Sequence, residues 1–269
     1  MNLKKNNYLA SVIIANYNNN KYINECINSI KIQKYKNIEI IFVDDQSNDN
    51  SLKTIKKFKN IKVIKTKSKT SVGSFNQIKA YSLGYKKSKG DIIFFLDSDD
   101  FFLKNKIQDI MILYQENTKL NLLFDLPINL IGKKKLKKKF KQKSFIFSSW
   151  PRFSPQSCIS VRRNFAKNIF RISNIKKYPN IWLDFRIATY AFLKYKKLNI
   201  IENYLTYYRI RDNSASSKFK KISNDWWLRR AEAHDYFEYV ANKLNIKNRL
   251  TLDKIITKVI NMLIKKNNN

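Results

Sequence analysis

Glycine is the first scarcity: four residues, Gly73, Gly84, Gly90 and Gly132, in a chain of 269. They lie too far apart for a G-x-G-x-x-G loop or a Walker loop. Any phosphate must therefore be handled by side chains and metal rather than by a glycine-rich cradle. The single histidine, His234, has no catalytic motif around it, which argues against Ser-His-Asp and Cys-His nucleophile systems. Cys26 and Cys158 stand alone and far apart. This speaks against a disulfide framework, a Cys/His zinc site and a Cys-x-x-Cys redox site. No run approaches the ~18 apolar residues of a spanning helix. The stretch Leu9–Ala15 after two lysines has the outline of a signal peptide. It lacks a small-residue cleavage site and runs straight into Asn16-Tyr17-Asn18-Asn19-Asn20. It reads as a first strand. The expected location is cytoplasmic, extending to peripheral attachment at the inner face of the cytoplasmic membrane.

Acid is scarce as well. Asp and Glu total 20 against 54 Lys and Arg, a formal net charge of +34. Such a balance first suggests nucleic acid or an anionic membrane. The charge is unevenly made, however: 44 residues are Lys and 10 are Arg, and every Arg lies at or after Arg152. Asn numbers 33. Excess Lys, Asn and Ile reads in part as an AT-rich coding sequence, and dedicated nucleic-acid readers favour Arg. The densest run, Lys133 to Lys141, is either a solvated loop or an attachment site for anionic lipid, worth roughly 1 kcal/mol per Lys. With 43% hydrophobic and 14% aromatic residues, the chain has the composition of a globular protein with a real core.

Along the chain, apolar runs alternate with helical spacing. Strands are expected over residues 9–15, 38–43, 61–65, 91–96 and 121–126, and helices over 21–34, around 52–58, 74–88 and 104–116. Cys26 falls on a core face. Near-continuous apolar strands between helices imply an α/β fold with a mostly parallel, Rossmann-like sheet flanked by helices. Later, residues 145–150, 157–161 and 204–208 read as strands. Residues 181–196 read as a helix capped by Asn180, and 224–265 as a basic helical extension.

The polar clusters fall at the carboxyl ends of strands, where such sheets bind ligands. Asn16 and Tyr17 follow the first strand, Asp44 and Asp45 the second, and Asp97, Asp99 and Asp100 the fourth. Adjacent carboxylates at the end of a buried strand repel one another and pay for desolvation unless something positive pairs with them. Hard oxygen ligands suit Mg²⁺ or Mn²⁺, with substrate phosphates completing the shell. The bland alternative is a polar turn before the next helix.

Three segments together resemble family 2 glycosyltransferases of the GT-A fold: Ser11 to Asn18, Ile40 to Asp49, and Gly90 to Asp100. The likeness is clear over residues 8–118, weaker over 119–215 and absent beyond. It implies a nucleotide-diphosphate-sugar donor, of UDP type, and a divalent cation, Mn²⁺ or Mg²⁺. By resemblance Tyr17 packs on the base, with Ala15 beside it. Asp45 accepts from the uracil-type ring, with Asp44 adjacent. Asp97 and Ser98 lie on the ribose side of an Asp-x-Asp motif, and Asp99 is the metal ligand. Asp184, in Trp182-Leu183-Asp184-Phe185, matches the base of an inverting transfer, although Leu183 replaces the usual Glu. Otherwise Asp184 is a first-turn acid or an ion-pair partner of Arg186. Arg211 stands where the family often has a His. Arginine cannot bind a cation, but it can stabilise charge on a leaving diphosphate.

Asn76, Gln77 and Lys79 lie where donor contacts are expected. Trp150 to Ser157 lies where acceptor contacts are expected, and Trp150 either stacks on a sugar or sits in the core. The organisation expected is a GT-A domain over 1–220, with a nucleotide-binding half (1–118) and an acceptor half (119–220), then a basic helical extension over 221–269. The partners implied are the donor, a glycan or lipid-linked acceptor of bacterial surface polysaccharide synthesis, and an anionic membrane surface. Competing readings are a basic nucleic-acid-binding protein, a sugar nucleotidyltransferase and an inactive relative. The aspartate-lined edge repels polynucleotide, and a nucleotidyltransferase wants a glycine-rich first loop, so no nucleic acid is expected.

Overall fold

The computed structural model describes residues 7–142, 148–173, 176–212, 219–247 and 250–267. Four parallel strands open the chain: β1 (Ala10–Asn16), β2 (Ile38–Asp44), β3 (Ile61–Lys65) and β4 (Ile92–Asp97). They stand in the order β3-β2-β1-β4. Between them run α1 (Asn20–Lys31), the short α2 (Ser51–Ile55) and α3 (Gly73–Lys87). After β4 come β5 (Phe101–Phe102), α4 (Lys106–Glu116), β6 (Leu122–Ile131) and β7 (Lys134–Lys137). A single 3-10 turn over Gln156–Cys158 leads into β8 (Ile159–Arg162), α5 (Arg163–Ser173), α6 (Leu183–Tyr195) and β9 (Ile200–Arg209). Helices α7 (Asn224–Lys243) and α8 (Leu252–Asn267) close the described chain.

The sheet continues β4-β8-β6-β9-β5, with β7 on β6. Parallel pairing holds for β1 to β4 and for β6 with β9. Strand β8 is antiparallel to both neighbours, and β5 and β7 also pair antiparallel. The sheet is thus parallel in its first half and mixed in its second.

Period-two alternation splits the core between two faces. On β1, Val12 and Ile14 face α1 and α4, while Ile13 faces α3; on β4, Phe94 and Leu96 take the first side and Ile93 and Phe95 the second. Helices α5, α6 and α7 complete the second layer, and α7 contributes Ala233, Tyr236, Phe237 and Val240 to it. The helix expected as part of an extension therefore shares the core of the half before it. Gly84 lets α3 lie close on the sheet, because a Cβ there would fall 2.3 Å from Ile13 Cγ2. Both cysteines are buried and free.

Three expectations change. The strand over 145–150 falls partly outside the described residues, and 148–150 is irregular. Asn180 does not cap α6: its backbone N–H and side chain both donate to Glu232, at 2.8 Å each. The lysine run is not a plain loop, since Lys134–Lys137 pairs with Ile128–Ile131 through a two-residue turn, Gly132 and Lys133. Gly132 there has φ +56°, a conformation that suits glycine. Edge-strand lysines of this kind discourage further pairing.

Candidate active site

Register brings the polar clusters together. Ala15 pairs with Val43 on one side and Asp97 on the other, and Asn16 pairs with Asp44. The carboxyl ends of β1, β2 and β4 therefore finish level, and beyond them opens a cleft of about 640 Å³. Ala15, Tyr17, Asp45, Asp97 and Asp99 line it from the strand ends, and Arg211 and Asp184 from the second half of the chain.

Asp45 accepts from Thr66 Oγ1 at 2.8 Å, which fixes it at the end of β2. Asp44 points the other way, as successive strand residues must. It is fully buried, and its carboxylate accepts from Asn16 Nδ2 at 2.9 Å and from Ser47 N and Oγ at 3.0 and 2.6 Å. Asp44 thus ties the loop after β1 to the loop after β2 and does not line the cleft. Ser98 is buried too, accepting from Asn19 Nδ2 at 3.0 Å. Tyr17 is exposed at the mouth, with Lys69 Nζ 3.1 Å from its ring centroid.

Each carboxylate of Asp97-Ser98-Asp99-Asp100 has its own partner. Asp97 accepts from Tyr81 Oη at 2.8 Å and Gln77 Nε2 at 3.2 Å. Burial, and then the charge of Asp99, still push its pKa up to about 7. Asp99 pairs with Arg211 Nη2 at 2.5 Å. Asp100 is turned away: Ser157 Oγ donates to it at 2.6 Å and Arg209 N at 2.8 Å. Burial raises it well above the usual carboxylate range. Beneath it lies a buried ion pair, Lys106 to Asp125 at 2.6 Å, whose ammonium also donates to Thr206 Oγ1 and Ser157 O.

The far wall comes from α6 and α7. Asp184 sits in the first turn of α6 and accepts from Phe185 N at 2.7 Å. Burial raises its pKa, and the positive charge of Arg229 on α7 works against that rise. Arg229 itself is lowered by the same burial. Arg186 is not an ion-pair partner of Asp184. It is fully buried and donates to the carbonyls of Ser173, Tyr178 and Ile181 at 2.7, 2.8 and 2.9 Å.

Trp150 is a core residue, 5.1 Å from Phe185 and 4.6 Å from His234 between ring centroids. Asn76 and Gln77 line the cleft, whereas Lys79 turns to Ser68. Arg229 was missed by sequence reasoning, because only packing brings α7 to Asp184. Gln156 lies within the Trp150–Ser157 stretch. It is 3% exposed, lines the cleft, and both amide atoms lack partners. Gln77 Oε1 and Arg211 Nε are also unpaired. Buried polar atoms without partners are costly, and the residues that carry these four line one cavity.

A divalent cation fits this donor set only with help. Among the described residues no group of three or more His, Cys, Asp or Glu is placed to hold a metal. Asp97 and Asp99 offer two carboxylates, which suffices for Mg²⁺ or Mn²⁺ when phosphate oxygens supply the rest.

The family model described as Glycosyl transferase family 2 matches residues 11–198. The chain belongs to this family. That glycosyltransferase family match covers both walls of the cleft except Arg211, Arg229 and their neighbours. An uncharacterized glycosyltransferase of Nostoc sp. is 31% identical over 211 residues, 74% of this chain and 64% of that protein. The chain therefore spans less than two thirds of that relative's length. An Escherichia coli protein named UDP-Glc:alpha-D-GlcNAc-diphosphoundecaprenol beta-1,3-glucosyltransferase WfaP is 30% identical over 230 residues, 80% of this chain and 82% of that one. Among solved structures, S. aureus TarS in complex with UDP-GlcNAc superposes with TM-score 0.63 at 19% identity, covering 94% of this family 2 chain and 70% of TarS. The fold is that of TarS, the GT-A type.

Proposed function

We propose that the chain is a glycosyltransferase that moves a sugar from a nucleoside-diphosphate donor, of UDP type, to a hydroxyl of a glycan or lipid-linked acceptor in bacterial surface polysaccharide synthesis. One observation carries the reading: a single cleft gathers an aromatic ring, an acceptor carboxylate, two further carboxylates, an arginine and a separate raised-pKa carboxylate. The relatives support the substrate classes. WfaP is named for a UDP-glucose donor and a diphosphoundecaprenol-linked acceptor, and TarS is solved with UDP and UDP-GlcNAc. A further relative is a minor teichoic acid biosynthesis protein.

In this reading Tyr17 packs on the base beside Ala15, and Asp45 accepts from a ring N–H. Asp97, with Ser98 behind it, lies on the ribose side, and Asp44 braces the loops. Asp99 would hold a divalent cation, Mn²⁺ or Mg²⁺, with Asp97 beside it; when bound, the cation supplies positive charge to the diphosphate. Arg211 neutralises Asp99 in the free protein and can swing its guanidinium to the phosphates, where a bidentate contact stabilises leaving-group charge. Gln156, with both amide atoms unpaired, reads sugar hydroxyls.

Asp184 acts from the opposite wall. It takes the proton from the acceptor hydroxyl as that oxygen attacks the anomeric carbon and the diphosphate leaves. A single displacement of this kind inverts the configuration. The raised pKa favours proton abstraction, and the positive charge of Arg229 works against that rise. Among the described residues no helix is long and apolar enough to cross a membrane. The positive exterior suits a cytoplasmic enzyme resting on anionic lipid.

A thermal-shift panel of UDP-, GDP-, CMP- and dTDP-sugars, with and without Mn²⁺, tests the donor class. Stabilisation by UDP-sugars above the others is expected. No shift with any nucleotide sugar would remove the reading.

A further inference from the structure

Helix α8 is inside out. Its polar residues Lys254, Thr257 and Asn261, like Thr251 just before it, are turned into the protein, and Leu252, Ile255, Ile256, Val259, Met262 and Leu263 are exposed. Thr257 is 1% exposed, whereas Val259 and Met262 are 52% and 68% exposed. Positions 252, 255, 256, 259, 262 and 263 form one stripe at helical spacing. A helix that merely covers a core does the opposite.

The orientation is fixed by specific bonds. Lys254 Nζ meets Glu238 Oε2 at 2.9 Å, and Asn261 Nδ2 donates to Trp227 O at 3.0 Å. Asp253 pairs with Arg230 and lies 2.7 Å from His234 Nε2. Just before α8, Thr251 Oγ1 lies 2.7 Å from Ser149 Oγ. Rolling α8 over would bury the stripe but strand all of these groups.

Apolar surface continues beyond the helix. The Asn261 bond sets the later part of α8 beside the start of α7, where Ile222 and Leu228 are exposed and Trp226 and Trp227 pack edge to face. Charge surrounds the stripe: Lys258 borders it and Lys266 ends it, both exposed, and the sole acid of α8, Asp253, is turned inwards. A stripe of aliphatic residues with lysine flanks and nearby tryptophan is the pattern of a helix lying in a membrane interface. The net charge of +34 complements anionic headgroups, each nearby lysine adding about fivefold to partition.

We propose that α8 is the surface by which this protein docks on an anionic phospholipid bilayer, its stripe sunk in the interface and its polar face kept on α7. This deepens the anionic-surface part of the function proposed above and is independent of donor and chemistry. It also moves the attachment from the lysine run of β7, the candidate in the sequence, to the end of the described chain.

The test is co-sedimentation of the whole chain with vesicles of phosphatidylcholine alone and with added phosphatidylglycerol. The chain should bind the anionic vesicles. The double variant Ile256→Asp, Val259→Asp should lower partition by about tenfold or more, with Tm and the nucleotide-sugar shift unchanged. Changing Lys134, Lys135 and Lys137 to Gln should lower it less. Equal binding by the α8 variant, with loss in the lysine variant, would overturn the inference and leave the anionic-surface reading standing. No binding of the unaltered chain to anionic vesicles would remove both. A dimer by light scattering that the α8 variant converts to monomer would make the stripe a contact between copies and overturn the inference as well.

Discussion

The two walls of the cleft are built differently. The wall proposed for the donor is local: Ala15, Asp45 and Asp97 are strand ends set level by backbone register, and the loops between them are laced by Asn16, Asp44 and Ser47. The wall proposed for the acceptor is assembled at long range. Asp184 stands at the start of α6, Gln156 in a turn held over the Lys106–Asp125 pair, and Arg229 on a helix some 45 residues further on. Arg211 spans the two, reaching from beyond β9 to Asp99 and to Asn19. Register places a group wherever the strand pattern is right. Long-range packing places it only once the whole second layer has formed. Donor capture and chemistry should therefore separate cleanly under mutation.

The largest effect is expected on the acceptor wall. Asp184→Asn should lower transfer by about 10²–10⁴-fold. The pH profile sharpens the point. Burial raises Asp184 above the ordinary carboxylate value, and a base must be ionised, so transfer should rise with pH through a limb lying above that of a free carboxylate. The same shift has a stability sign. The folded state holds the proton between the unfolded and folded pKa values, so its stability falls as pH rises through that window. Asp184→Asn removes this penalty and should raise Tm near neutral pH. A variant that loses transfer together with Tm would point to a structural role for Asp184 instead.

A smaller effect is expected at Gln156. No hydrogen bond is lost from the fold with its amide, so Gln156→Ala should leave Tm nearly unchanged. It should raise the KM for one substrate by roughly tenfold, the order of one hydrogen bond of about 1 kcal/mol or slightly more. An unchanged KM for both donor and acceptor would take Gln156 out of the site.

This contrast also explains what the sequence made legible. Apolar runs ending in polar pairs announced β1, β2 and β4, and their parallel pairing followed from the alternation with helices. Strand β7 was hidden because Lys-Lys-Leu-Lys reads as solvent-facing loop, and its pairing rests on a two-residue turn. Helix α5 carried a signal, since Phe165, Ala166, Ile169 and Phe170 keep helical spacing and are buried. Of the adjacent Asp44 and Asp45 only one can face the cleft, which the two-residue period of a strand implies. The resemblance singled out Asp97, Asp99, Asp184 and Arg211, and the structure gathers all four around one cavity. Arg229 and the inward polar face of α8 were not legible, because tertiary packing alone decides them. His234 shows the converse. It lies beside Ser149 and Asp253, yet His234 and Ser149 are buried and the trio holds α8 to the protein.

The most direct measurement is calorimetric titration of a UDP-sugar with Mn²⁺ into the unaltered chain, Asp99→Ala and Asp184→Asn. The account predicts that Asp184→Asn binds the donor within about twofold of the unaltered chain, and that Asp99→Ala shows no measurable binding. Unchanged binding by Asp99→Ala, or lost binding by a folded Asp184→Asn, would contradict the division of the cleft into a donor wall and a catalytic wall.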